Sequence, residues 1–145
     1  MWRFLFRWAD MVRTHLAFVG IWLGCVLTEA MFERALLGKG ETPEAILVAL
    51  HKRVDLFIEI PAFIIVLLTG LMMFQWETAT PLFLIKVGIA AIAIIANIYC
   101  VWLVFRRADA QSNGDQVTFA RLDHLQHQYG AIILVGIVVA LVMGV

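Results

Sequence analysis

The sequence predicts an all-α fold, an integral membrane bundle of four helices running up, down, up and down in one domain over residues 1–145, and three observations carry that reading. The chain is 63% hydrophobic with a mean hydropathy of +0.91, well above an ordinary soluble domain, about half of which is apolar. Four long apolar segments can be drawn, at roughly residues 12–37, 44–75, 81–106 and 117–144; each exceeds the about 20 helical residues that cross a ~30 Å hydrocarbon core. The connections between them are short, so consecutive helices must be antiparallel neighbours. Strands of a membrane barrel would instead read as short alternating runs.

Each element carries its own start and stop signals. Trp2, Arg3, Phe4, Phe6, Arg7 and Trp8 mix aromatic and basic side chains, as expected of an interfacial lead-in to the first helix and not of a cleaved signal. Gly38 and Gly40 stop that helix, and Thr42-Pro43-Glu44 supplies an N-cap, a proline at the first helical position and a first-turn acid for the second. Pro61 is expected to kink the second helix and free the carbonyl of Phe57. Thr80-Pro81 opens the third helix, and a polar stretch from Ala108 to Gln116 separates it from the fourth. Arg34, Lys39, Lys52, Arg53, Arg106, Arg107 and Arg121 flank the first and third connections, against Arg3, Arg7, Arg13 and Lys86 on the other side. The positive-inside rule then expects those two connections in the cytoplasm of a bacterial inner membrane and both termini outside, with Trp8, Trp76 and Trp102 as interface anchors.

Formal net charge is zero and no basic tract stands out, so nucleic acid is not an expected partner. No nucleotide-binding motif or hydrolase triad is present. Cys25 and Cys100 both fall inside spans and read as reduced, buried thiols.

Function is expected from a band of ionisable residues inside these apolar segments: Cys25, Glu29 and Glu33, then His51, Asp55 and Glu59, then Asp123, His124 and His127. A charge at the centre of a bilayer costs about 2.5–3.5 kcal/mol on insertion scales, so such residues need a partner or a task. Counting along antiparallel hairpins sets Glu29 level with His51, Cys25 with Asp55, Glu59 with Asn97, Asn97 with His127, and Cys100 with His124. His51, Asp55 and Glu59 form an i, i+4, i+8 stripe, as do Cys25, Glu29 and Glu33, and both stripes should face the bundle interior. Imidazole and carboxylate are ligands for iron, zinc, copper or manganese, and helix bundles build such sites from facing helices. Glu29, His51, Asp55, Glu59, Asp123, His124 and His127 are therefore candidate metal ligands. A b-type haem held by His51 with His124 or His127 is a second possibility, and a proton or cation path through Glu29, Asp55 and Glu59 a third. The plain alternative is that Arg34, Arg53 and Arg121 neutralise Glu33, Asp55 and Asp123 in ion pairs.

Several short features bear on a family resemblance. His15 is followed by Trp22 and Gly24, the Pro-containing second helix ends in Leu68-Thr69-Gly70-Leu71, and Lys86 lies early in the third helix. In these respects the chain resembles the copper-resistance-D-like group and the related short membrane protoporphyrinogen oxidases. The resemblance implies a four-helix membrane architecture, a haem or metal, and functional roles for His15 and Lys86. The Tyr-Leu-Pro-Arg stretch of those oxidases is replaced here by Leu27-Thr28-Glu29-Ala30. The expectation is thus a membrane protein that binds a transition metal (iron, copper or zinc) or haem b for electron transfer or small-molecule oxidation. Metal handling, or a role as accessory subunit of a larger membrane complex, is the alternative; an electron-transfer partner or a second copy of the chain are its candidate protein partners, alongside the lipid bilayer.

Overall fold

A computed structural model describes residues 2–144, with side chains described from Arg7 onward. The elements are α1 (Trp2–Leu36), α2 (Glu41–Val54), a π-helical turn (Asp55–Glu59), α3 (Ile60–Met73), a short 3₁₀ turn (Trp76–Thr78), α4 (Pro81–Ser112) and α5 (Gln116–Val142). α2, the π turn and α3 are continuous, so the chain makes four helical passes, each long and apolar enough to cross a membrane. It is a multi-pass membrane bundle, as predicted. The side chains of Trp2 to Phe6, part of the expected interfacial lead-in, lie outside the described residues.

The helix boundaries follow local chemistry, with three departures from expectation. Thr80 caps α4 by accepting a hydrogen bond from the Phe83 amide at 3.2 Å, with Pro81 at the first helical position. The second pass starts earlier than Thr42-Pro43 implies: Gly40, at φ 112°, is the N-cap, and Glu44 instead accepts from the Gly38 amide at 3.0 Å. Such a φ favours glycine, which pays no Cβ penalty there. In the second departure, α4 continues to Ser112, several residues beyond the apolar segment, because Leu103, Val104, Arg107 and Ala110 keep a buried face at helical spacing. Asp115 then caps α5, accepting from the Thr118 amide at 3.0 Å, and these hydrogen bonds hold its carboxyl below its usual range.

The third departure is at Pro61. A kink was expected there, and the helix answers with a π turn over Asp55–Glu59 just upstream. Proline has no amide hydrogen to give to the preceding turn, so a wider turn beside it costs little hydrogen bonding. The consequence is that Asp55 and Glu59 bracket an irregular turn and are both buried.

Two apolar layers pack the bundle. One joins Trp22, Val26, Ala62, Phe63, Val66, Ala93, Ala96, Ile133 and Ile137; the other, nearer the α4–α5 connection, joins Val48, Leu103, Ala110, Phe119 and Leu122. α4 and α5 approach closely where Gly136 meets Ala93, since a Cβ on Gly136 would lie 2.9 Å from that of Ala93. Outward positions such as Phe57, Leu71, Ile95 and Val135 are large, apolar and exposed, the surface of a helix bundle whose solvent is lipid.

Candidate functional site

Between the two apolar layers lies a polar layer. Glu29 and Glu33 come from α1, His51 from α2, Asp55 and Glu59 from the π turn, Asn97 and Arg107 from α4, and Gln126 from α5, and all are buried. His51 is its hub. Its Nε2 lies 3.1 Å from Glu29 Oε2 and its Nδ1 3.6 Å from Glu33 Oε1, while the Gln126 side-chain amide and the Arg107 guanidinium lie 3.1 Å from its ring nitrogens. His127 reaches in from the rim, with Nε2 2.7 Å from Glu33 Oε2, and is itself 46% exposed. Asp123 joins through Arg107, at 2.6 Å.

The acids divide into two groups by what neutralises them. Glu33 and Asp123 share the Arg107 guanidinium, which is completely buried and lies 3.0 Å from Glu33 Oε1. That trio with His127 is an ion-pair network, the economical way to bury charge. For Glu29, Asp55 and Glu59 no lysine or arginine among the described residues lies within salt-bridge distance. One oxygen of each, Glu29 Oε1, Asp55 Oδ2 and Glu59 Oε2, has no hydrogen-bond partner among the described residues, and neither has Gln126 Oε1. Buried carboxylates without a counter-charge are costly, so these three need protons or a cation.

The geometry offers a cation a place. One ligand atom each from Glu29, His51 and Asp55 lie within 4.8 Å of one another, as do atoms from Glu33, Asp123 and His127. The second set already holds the Arg107 guanidinium. A cavity of about 230 Å³ adjoins the first set, lined by Glu29, Glu33, His51, Asp55, Glu59 and Gln126 on its polar side.

Several sequence expectations are met here and others are not. Glu29 is level with His51, as predicted, and the α1 and α2 stripes both face inward. Across the third connection the register differs. Cys100 Sγ meets the Gln126 carbonyl at 4.0 Å, not His124, because α4 runs on to Ser112 and lengthens the hairpin. His124 is exposed and pairs with Gln128 at 3.1 Å, apart from the cluster. The expected neutralisers Arg34, Arg53 and Arg121 are exposed as well, and Arg107 takes their place. Arg107 and Gln126 were missed, yet each continues a buried stripe: Leu103, Arg107, Ala110 in α4 and Phe119, Leu122, Gln126, Ile133 in α5. His15 lies at the far end of the bundle, its Nδ1 2.8 Å from Thr69 Oγ1, and Lys86 is half-buried in that same half.

A bis-histidine haem does not fit this arrangement. Its axial ligands must face each other across the ring, whereas His51 and His127 both turn to one carboxylate, Glu33. The cavity also falls short of the ~300–1,000 Å³ of drug-sized ligand sites. Compared with family models, with curated proteins and with solved structures, the chain matches none. The family resemblance therefore stands on the short motifs around His15, Trp22, Thr69 and Lys86 alone.

Proposed function

We propose that this is a membrane metalloprotein holding one redox-active divalent metal ion on Glu29, His51 and Asp55, with Glu59 behind them, and that it serves electron transfer or oxidation of a small molecule. The observation that carries the reading is the convergence of two buried carboxylates, Glu29 and Asp55, each with an unpartnered oxygen, on buried His51 beside a cavity that Glu59 also lines. A divalent ion would satisfy those oxygens and their charge together. Oxygen and imidazole donors favour iron or manganese, and zinc among redox-inert ions. Copper(I) prefers soft sulfur, and Met31 and Met72 are exposed to the lipid side. The family-implied roles of His15 and Lys86 gain no support from a cluster so far from them. The excess of Arg and Lys around the first and third connections favours the cluster in the cytoplasmic half of a bacterial inner membrane, with both termini outside.

The test is elemental analysis with electron paramagnetic resonance on the chain purified in mild detergent from its native membrane. About one iron or manganese per chain is expected, lost in Asp55→Asn and in Glu29→Gln and retained in His124→Ala and His15→Ala. Sharp haem bands in a reduced-minus-oxidised spectrum would overturn the non-haem assignment. A metal-free chain that stays folded and refuses added Mn²⁺ would overturn metal binding, in favour of an accessory subunit whose acids are protonated.

A further inference from the structure

Arg107 is paired inside the bundle with Glu33 and Asp123. The residue before it, Arg106, is exposed on the outer face of α4. Neither Arg106 nor Lys52 and Arg53 of α2 has a carboxylate within salt-bridge distance among the described residues. Two of these three cations are seated on aromatic rings instead. Lys52 Nζ lies 5.0 Å from the centre of the Phe105 ring, across the seam between α2 and α4, and Arg106 Cζ lies 5.7 Å from the centre of the Trp102 ring. At about 100° per residue, Trp102 points between Phe105 and Arg106. The two cations therefore flank one exposed indole, which is itself stacked on Tyr99 with ring centres 5.5 Å apart.

The depth of this patch follows from the exposed face of α4. Ile92, Ile95 and Ile98 are exposed and apolar, Tyr99 and Trp102 come next, and Arg106 and Asp109 follow. Hydrocarbon, aromatic belt and charge in that order mark the level of the lipid phosphates. Asp109 lies about one turn beyond Arg106, toward the water, so three cations face a single acid and the patch is positive. An aromatic ring attracts a cation through its own electron-rich face, and the N–H edges of a guanidinium stay free to grip a phosphate in a two-point fork. Seating long side chains on rings beforehand also lowers the entropy lost when an anion orders them. A soluble phosphate would find the same cations, but a lipid would in addition cover Ile95 and Ile98 below them.

We propose that the outer face of α4, beside the seam with α2, is a binding site for an anionic phospholipid. Its phosphate lies between Lys52 and Arg106 over Trp102, Arg53 adds to the local positive field, and the acyl chains run along Ile98 and Ile95. The site is independent of the metal reading, since none of these residues belongs to the acidic cluster.

The experiment places the full chain in phosphatidylcholine vesicles that contain either phosphatidylglycerol or phosphatidylcholine brominated high on the acyl chains. Fluorescence of Trp102 is isolated as the difference from a Trp102→Phe variant. Bromine quenches an indole it touches, so the two quenching curves give the relative affinity of the two lipids at this position. Phosphatidylglycerol is expected to be preferred about tenfold. Lys52→Gln with Arg106→Gln is expected to abolish the preference, and Arg106→Lys, which keeps the charge, to retain most of it. Arg34→Gln with Arg121→Gln removes as much charge from α1 and α5 at the same end of the bundle, and should change the preference less than about twofold. Equal quenching by the two lipids, or a preference that survives loss of Lys52 and Arg106, would overturn the site. So would a preference lost equally with Arg34 and Arg121, which would put diffuse surface charge in its place.

Discussion

Arg107 is the residue on which the polar layer depends most. Its guanidinium is completely buried and bridges Glu33 and Asp123 at 3.0 and 2.6 Å, with the Phe119 ring 5.8 Å from its centre. Removing one partner of a buried pair strands the other charge, at a cost of about 3–5 kcal/mol. Arg107→Met is therefore expected to lower the thermal midpoint in detergent sharply, and adding Glu33→Gln and Asp123→Asn to it should restore most of the loss by removing the stranded acids. No recovery in the triple variant would mean that Arg107 acts through packing instead. At this scale the sequence revealed the acids and His51, because ionisable groups inside an apolar run are conspicuous. It concealed Arg107, because an arginine just past an apolar segment looks like one of the basic residues that flank a membrane. His124 misled for a related reason: a histidine draws attention by its chemistry, while the buried stripe of α5 passes through the less conspicuous Gln126.

The π turn is the irregular element at the site, a widened turn that accommodates one extra residue within the helix. His51 and Asp55 lie at or before the turn, and Ala62, Phe63 and Val66, which fill the apolar layer, lie after it. At 100° per residue a regular helix would also keep His51, Asp55, Ala62, Phe63 and Val66 within about 120° of one another, so the turn adjusts a face the sequence already holds inward. Deleting Phe57, which is 73% exposed and contributes nothing to the core, takes out the one residue that the wide turn accommodates, and is expected to give a regular helix with His51 still against Glu29. Helical content by circular dichroism and Mn²⁺ affinity should therefore both be kept; an affinity as low as that of Asp55→Asn would show that the wide turn itself shapes the site. Pro61 announced an irregularity in the sequence, but a kink and a π turn begin from the same missing amide hydrogen. Which one forms is decided by tertiary packing, here by the burial of both Asp55 and Glu59. The end of α4 was hidden similarly, for hydropathy falls off where the chain leaves the apolar zone while the helix persists on the strength of its buried face.

Across the whole molecule, the order of layers bears on whether the cluster is a closed binding site or a station on a conduit. A path for ions needs polar groups or water along its length. Here the acidic cluster is confined to one layer, and between it and His15 at the far end stand Trp22, Ala62, Phe63, Val66, Ala93, Ala96, Ile133 and Ile137, tightened by a hydrogen bond of 3.0 Å from the Trp22 indole to Asn97 Oδ1. Across that layer no described residue offers a charged or carboxylate stepping stone. An ion that reached Glu59 would have to cross apolar packing unaided, at an energy several times that of thermal motion. The purified chain reconstituted into vesicles is accordingly expected to pass neither Mn²⁺ nor protons above the leak of protein-free vesicles, even under a membrane potential, while its detergent-solubilised form binds Mn²⁺. Widening the apolar layer tests whether that layer is the barrier: Phe63→Ala, which opens space beside Trp22, should raise proton leak if the layer is the seal, and Leu71→Ala, on the lipid face, should not. Saturable flux in the unmodified chain, abolished by Glu59→Gln, would instead make the cluster a station on a path, and the two apolar layers would then have to be gates that open.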